Sequence, residues 1–388
     1  MNTKIYFDNA ATTKVDPLVI ESMLEMFEQN YGNASSLHSF GNNAKNALDK
    51  SREDIAKLMG ADSNELIFTS GGTESNNLAI KGIALANQHK GKHIIVSSIE
   101  HDCILNACKW LETQGFFITY LPVDEYGSVN PDDVAKYISP KTTLVSVMFA
   151  NNEIGTIQPI EAIGKICKAK NILFHTDACQ AFGKMKIDVN SLNIDLMTIN
   201  AHKIYGPKGI GALYIRKGAL IEPQLHGGGQ EFGLRSTTEN LPCIVGFAKA
   251  ATLCHEQMET EHNRVFGLRN KLETALLETI EGSYINGHPT NRIAGNINLG
   301  ISQLEGETIR LLFLMDEQGF AVSAGSACSS NDTSNNASHV LKAIGRDQFQ
   351  SRGAVRISVG RYNTEAEINQ FVDALAKVTK QLNPIFSL

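Results

Sequence analysis

From residue 66 to residue 215 the chain alternates between short runs of Ile, Val, Leu, Phe and Thr and longer amphipathic stretches. Strands are expected at 66–69, 93–97, 116–121, 143–149 and 172–176, with helices between them at about 73–89, 102–113, 131–137 and 160–170. Two more strands are expected at 196–199 and 210–215. Strand, helix, strand in repetition leaves few options. The chain must be α/β, with a mostly parallel sheet between two helical layers. In such a sheet the loops at the carboxyl ends of the strands share one edge, where ligands bind. The polar residues there are Thr73, Glu100 and His101, Asn151 to Glu153, Asp177 and Gln180, and His202 and Lys203.

The flanking segments read differently. Residues 5–13 are extended, helices follow at 17–29 and 39–60, and 32–38 is a loop. Residues 227–240 form a flexible hydrophilic loop, and one long helix runs from 242 to about 281. From about 284 the pattern is α+β, with strands at 294–299 and 354–358 and helices at 307–317 and 365–382. Two domains are therefore expected: a large one at 15–255, and a smaller one made of 1–14 and 256–388. The polar tract 329–338 predicts a mobile loop without a core.

Composition narrows the function. The 388 residues carry a net charge of -6 without a Lys/Arg run, which excludes nucleic acid as the main partner. No apolar window is long enough to cross a bilayer, and no apolar segment follows the first charge as a secretory leader requires. Seven cysteines without a C-x-x-C pair fit free thiols in a reducing cytoplasm, and neither a disulfide framework nor a zinc site.

Lys203 lies just past a strand end, in the turn Asn200–Gly209. A lone lysine there would ordinarily be solvated. Asp177, at the end of the preceding strand, changes that reading. A strand-end lysine can form a Schiff base, and a strand-end aspartate can hold a pyridinium nitrogen protonated. Together they suit pyridoxal phosphate. The pair Gly71-Gly72 ahead of Thr73 and Glu74 is either a phosphate cup or a plain capped helix start. Cys328, among small and hydroxyl residues, is a candidate exposed nucleophile. Cys103, Cys108, Cys167, Cys243 and Cys254 read as packing residues, and Cys179 is open between packing and chemistry.

These motifs, in order, resemble the NifS/IscS-type cysteine desulfurases, class V members of the fold-type-I pyridoxal phosphate enzymes. The resemblance rests on Tyr6–Thr13, Gly71–Asn77, Glu100-His101, Asn151–Gly155, His175–Gln180, His202–Gly209 and Gly325–Cys328. It implies that Lys203 is the Schiff-base lysine, Asp177 the pyridinium partner and His101 the residue stacked on the ring. Asn152 and Gln180 would lie near the ring hydroxyl; Thr73, Gly72, His202 and Asn200 would hold the phosphate. Thr238 would reach the phosphate of a partner subunit, making a homodimer. Arg356 would clamp the substrate carboxylate with Asn33 or Asn152, and Cys328 would take the sulfur of L-cysteine as a persulfide. An acceptor protein, either an iron-sulfur scaffold or a thiolation protein, would then receive it. The alternatives are a selenocysteine lyase, another class V aminotransferase or lyase, or a scaffold that keeps the fold without turnover.

Overall fold

The computed structural model describes residues 4–302, 304–324 and 337–382. Among them a seven-stranded sheet carries the expected alternation. Its spatial order is Leu66–Thr69, Gly211–Ile215, Leu196–Asn200, Leu173–Asp177, Thr142–Ser146, His93–Ser97, Phe117–Leu121. Gly211–Ile215 runs antiparallel to both neighbours, and the other pairings are parallel. Every residue of Leu66–Thr69, His93–Ser97 and Leu196–Asn200 is buried, as a strand covered on both faces requires. One face packs on a core that includes Ile55, Met59, Phe174 and Phe247; the other packs on Ile83, Ile94, Ile104 and Leu111. Each such side chain contributes roughly 1.5–3 kcal/mol by leaving water.

A four-stranded antiparallel sheet follows, in the order Ser323–Ala324, Ala354–Ser358, Asn296–Ile301, Ser283–Asn286. Helices Met258–Thr279 and Glu365–Leu382 cover it, around a core with Phe7, Leu272, Ile297 and Phe371. The N-terminal strand Ile5–Tyr6 pairs in parallel with Phe320–Ala321 and so belongs to this layer.

Three expectations need correction. The helix at 242–281 is two helices, Leu241–Glu256 and Met258–Thr279, broken at Gln257 (φ -101°, ψ 2°). The first packs on the helices Pro17–Glu28 and Ser39–Leu58 and the second on the small sheet, so the chain bends between two cores. The loop at 227–240 is pinned rather than flexible. Glu231 is buried, paired through both oxygens with Arg52 at 2.7 Å, and it accepts from Phe68 N at 2.8 Å. Arg235 binds Glu74 in the same loop (2.7 and 3.0 Å). A hydrophilic sequence hides this, because charges that pair in the interior look like charges in water. Ser338, placed at the end of the polar tract, is buried and caps the helix His339–Ala343; the rest of that tract except Ala337 lies outside the described residues. Among the described residues no helix is long and apolar enough to cross a membrane.

Candidate active site

Parallel register brings the strand ends together: Asp177 stands opposite Thr198, two residues before Asn200. Above this edge is a cavity of about 600 Å³. It is lined by Lys203, Asp177, His101, Gln180, Asn152, Thr73, Gly72, His202, Asn200 and Arg356, all singled out in the sequence. Asn33 and Thr238 are exposed and do not line it, and Cys328 lies outside the described residues. Asn33 Oδ1 instead accepts from Ser35 N at 2.9 Å.

The floor of the cavity is polar and well ordered. Lys203 Nζ donates to the carbonyls of Ala10 and Ala11, the latter at 2.6 Å. Gln180 Nε2 donates to the same Ala10 carbonyl at 3.0 Å, and Gln180 Oε1 accepts from Lys184 Nζ at 3.3 Å. Burial, and then the nearby Lys203, pushes the Lys184 amine down to about 8. Asp177, 6% exposed, accepts from Asn76 Nδ2 (2.7 Å) and from Cys179 N (2.9 Å), one bond to each carboxylate oxygen. Each oxygen keeps a lone pair for a further donor. Burial holds the Cys179 thiol well above its usual range, so it stays protonated.

The next strand exit carries Glu100 and His101. His101 caps the helix Asp102–Thr113, its Nδ1 accepting from Cys103 N at 3.2 Å. Glu100 is fully buried, and burial together with Asp177 pushes its carboxyl up to about 8 against the hydrogen bonds from Met148 N (2.6 Å) and Ser97 Oγ (2.9 Å). At neutral pH it is therefore mostly a neutral acid.

The opposite end suits an anion. Gly71 and Gly72 turn from Leu66–Thr69 into the helix Gly72–Asn77, which continues through one π turn, Leu78–Gly82, to Asn87. The first-turn N–H groups of Gly72, Thr73 and Glu74 have no protein acceptor among the described residues. A Cβ on Gly72 would meet Cys179 Sγ at 3.0 Å and Asn200 Nδ2 at 3.4 Å, so only glycine keeps this cradle open. His202 Nε2 takes the Asn200 amide (3.2 Å), and Nδ1 faces Thr12 Oγ1 (3.2 Å). Burial and the cations Lys203, Lys208 and Lys184 push His202 down to about 4, so it is neutral. These residues fit pyridoxal phosphate: free N–H groups at a helix start for the phosphate, a buried carboxylate for the pyridinium, and a lysine between them.

The substrate end is built on the small sheet. Arg356, 4% exposed, donates to Asp8 Oδ1 (2.8 Å) and to the Asn152 carbonyl (3.3 Å). Its Nε is buried without a partner among the described residues. Beside it Ser338 Oγ donates to Glu153 Oε2 (2.6 Å), and His339 Nε2 donates to the Glu100 carbonyl (2.9 Å). Burial pushes the Glu153 carboxyl up. These two bonds tie the helix His339–Ala343 to the cavity wall.

Sequence reasoning missed Asn76, Asp8 and Lys184; its reading of Cys103 as a packing residue holds, since Cys103 packs on the apolar helix layer, but it did not place that thiol beside His101. Cys103 is half-buried and faces His101, with Sγ 3.1 Å from Nδ1. The only local signal was position: Cys103 lies in the first turn of a helix that begins at a strand exit.

The aminotransferase class-V family model matches residues 5–371. "Cysteine desulfurase IscS" of Methanosarcina thermophila is 49% identical over 381 residues, which is 98% of this chain and 93% of that protein. A solved structure named "NIFS-LIKE PROTEIN" superposes with a TM-score of 0.91 at 38% identity, over 98% of this chain and 100% of the other. A second, "SspA in complex with cysteine", gives a TM-score of 0.81 at 40% identity, over 93% of this chain and 100% of the other. The chain belongs to the aminotransferase class-V family, among its cysteine desulfurases of the NifS/IscS type.

Proposed function

We propose that this chain takes sulfur from L-cysteine, releases L-alanine, and hands the sulfur on from Cys328, with pyridoxal phosphate as its cofactor. The observation that carries the reading is one cavity holding Lys203, Asp177 and Arg356 beside a helix start with free N–H groups. When bound there, the cofactor supplies an electron sink for the pair left as the substrate Cα–H bond breaks. Asp177 would hold its ring nitrogen and His101 its face. Gln180 and Asn152 would meet the ring oxygen, and Gly72, Thr73, Asn200 and His202 the phosphate.

Arg356 orients the substrate by its carboxylate, and its guanidinium is already held square by Asp8 and the Asn152 carbonyl. Lys203 takes the Cα proton, and His101 can return a proton from its side of the cavity. The Cys328 thiolate bonds to the substrate sulfur as the C–S bond breaks. The electron pair of that bond stays on carbon and is protonated, giving the methyl group of alanine. The transferred sulfur remains on Cys328 as a persulfide, for an acceptor protein that builds iron-sulfur clusters or thiolates other molecules.

A homodimer belongs to the same reading. Leu24 (51% exposed), Phe27 (61%) and Tyr31 (67%) are exposed apolar side chains on and just beyond the helix Pro17–Glu28, and they support a partner surface there. Thr238 is exposed and does not line its own cavity, which supports a role toward a partner subunit. The two-domain division at 15–255, with 1–14 and 256–388 apart, is supported by the separate cores on the two sheets. The free thiols of the described cysteines support a cytoplasmic setting.

The test is turnover. With L-cysteine and a thiol reductant, the purified protein is expected to release sulfide and alanine in equal amounts. Cys328→Ala is expected to bind cofactor normally and to release no sulfide. Sulfide at the wild-type rate from that variant would remove Cys328 from the mechanism.

A further inference from the structure

On its Nδ1 side His101 meets a chain of hydrogen-bonding groups that leads back to Asp177. Asn76 Nδ2 lies 2.7 Å from Asp177 Oδ2 and 3.2 Å from Cys103 Sγ. The Asp177 carboxylate only accepts, so it fixes which way the Asn76 amide faces. The second proton of that amide then points at the Cys103 sulfur, which must accept it. The S–H proton is left for the remaining neighbour, His101 Nδ1, at 3.1 Å. The backbone N–H of Cys103 donates to the same nitrogen at 3.2 Å. Nδ1 thus faces two donors, and in a neutral imidazole the nitrogen that accepts forces the proton onto the other.

We propose that Cys103 is a positioning residue for His101: the backbone N–H at Nδ1 keeps the imidazole proton on Nε2, and the thiol, bound to the same nitrogen, sets the angle at which the ring stands. The chain Asp177–Asn76–Cys103–His101 then joins the carboxylate that would hold the cofactor's ring nitrogen to the imidazole that would lie on its face. The thiol needs no reactivity of its own, and its contact with the apolar helix layer is compatible with this role. The inference rests on the reading that His101 works in the site.

The test uses holoenzyme labelled with ¹⁵N-histidine, read by two-bond ¹⁵N–¹H correlation spectra and by steady-state kinetics. His101 is assigned by the signal that vanishes in His101→Gln. The wild type is expected to show the Nε2–H tautomer. Cys103→Ser, which keeps a donor, is expected to show the same tautomer and a kcat within about twofold. Cys103→Ala, which keeps the backbone donor, is expected to show the same tautomer with a shifted Nδ1 resonance and a kcat about tenfold lower, within what a misplaced catalytic group costs, with KM for L-cysteine unchanged. A Cys103→Ala enzyme with the wild-type kcat and an unshifted Nδ1 resonance overturns the proposal. So does a Cys103→Ser enzyme that behaves like Cys103→Ala. Wild-type turnover by His101→Gln removes instead the reading of His101 on which the inference stands.

Discussion

At the scale of the residue, Glu100 shows what burial does beside a charged site. Its carboxyl is neutral up to about pH 8 in the folded chain and ionises at about 4.5 when unfolded. The folded state therefore binds a proton that the unfolded state gives up, and stability falls as pH rises between those values. The contribution is complete below 4.5 and gone above 8. Glu100→Gln imitates the neutral acid at every pH. Its stability relative to wild type is expected to grow steadily from pH 4.5 to 8 and then level off, by several kcal/mol in all, as read from urea midpoints across pH. A constant difference would mean that the carboxyl is already ionised in the folded protein.

The meeting of Lys203 and Asp177 in one cavity was legible in the sequence because it follows from position: a basic and an acidic residue at adjacent strand ends. Asn76, Asp8 and Lys184 were not. Asn76 sits inside a helical run and meets Asp177 only because that helix crosses the strand end. Asp8 reaches Arg356 from the far end of the chain, 348 residues away. Lys184 reads as an ordinary surface lysine until its amine is seen against Gln180.

At the scale of the element, the loop at 227–240 is the one most misread. Its fixity comes chiefly from a buried pair, Arg52 (7% exposed side chain) with Glu231 (2%), beside the less buried pair of Arg235 with Glu74. Breaking such a pair from one side strands a charge in the interior. Glu231→Ala is expected to lose about 3–5 kcal/mol in urea unfolding. Asp49→Ala, which removes an exposed helix pair with Lys45, is expected to lose at most about 0.5 kcal/mol. Equal losses would mean that the loop is held by something other than the buried pair. The strands of the large sheet were read closely, within three residues at their ends, because apolar runs bounded by polar turns mark them well, whereas the short strands Ser283–Asn286, Phe320–Ala321 and Ser323–Ala324 were not read. The break at Gln257 was invisible, since helical periodicity continues across it and only the two cores demand a bend.

At the scale of the whole molecule, the small sheet supplies Arg356, the large sheet supplies Lys203 and Asp177, and the cavity exists only where the two meet. In the proposed homodimer a second copy would cover the exposed Leu24, Phe27 and Tyr31. Leu24→Glu with Phe27→Glu is expected to convert a two-chain particle into a single chain of 42.3 kDa by light scattering. A wild-type protein that already runs as one chain would remove the dimer from the account.

The most direct measurement is a single turnover without reductant. One equivalent of L-cysteine is added per chain, alanine is counted, and the peptide containing Cys328 is weighed. The account predicts one alanine per chain and a Cys328 peptide heavier by one sulfur atom. Alanine released with Cys328 unchanged, or no alanine from protein that holds its cofactor, would contradict it.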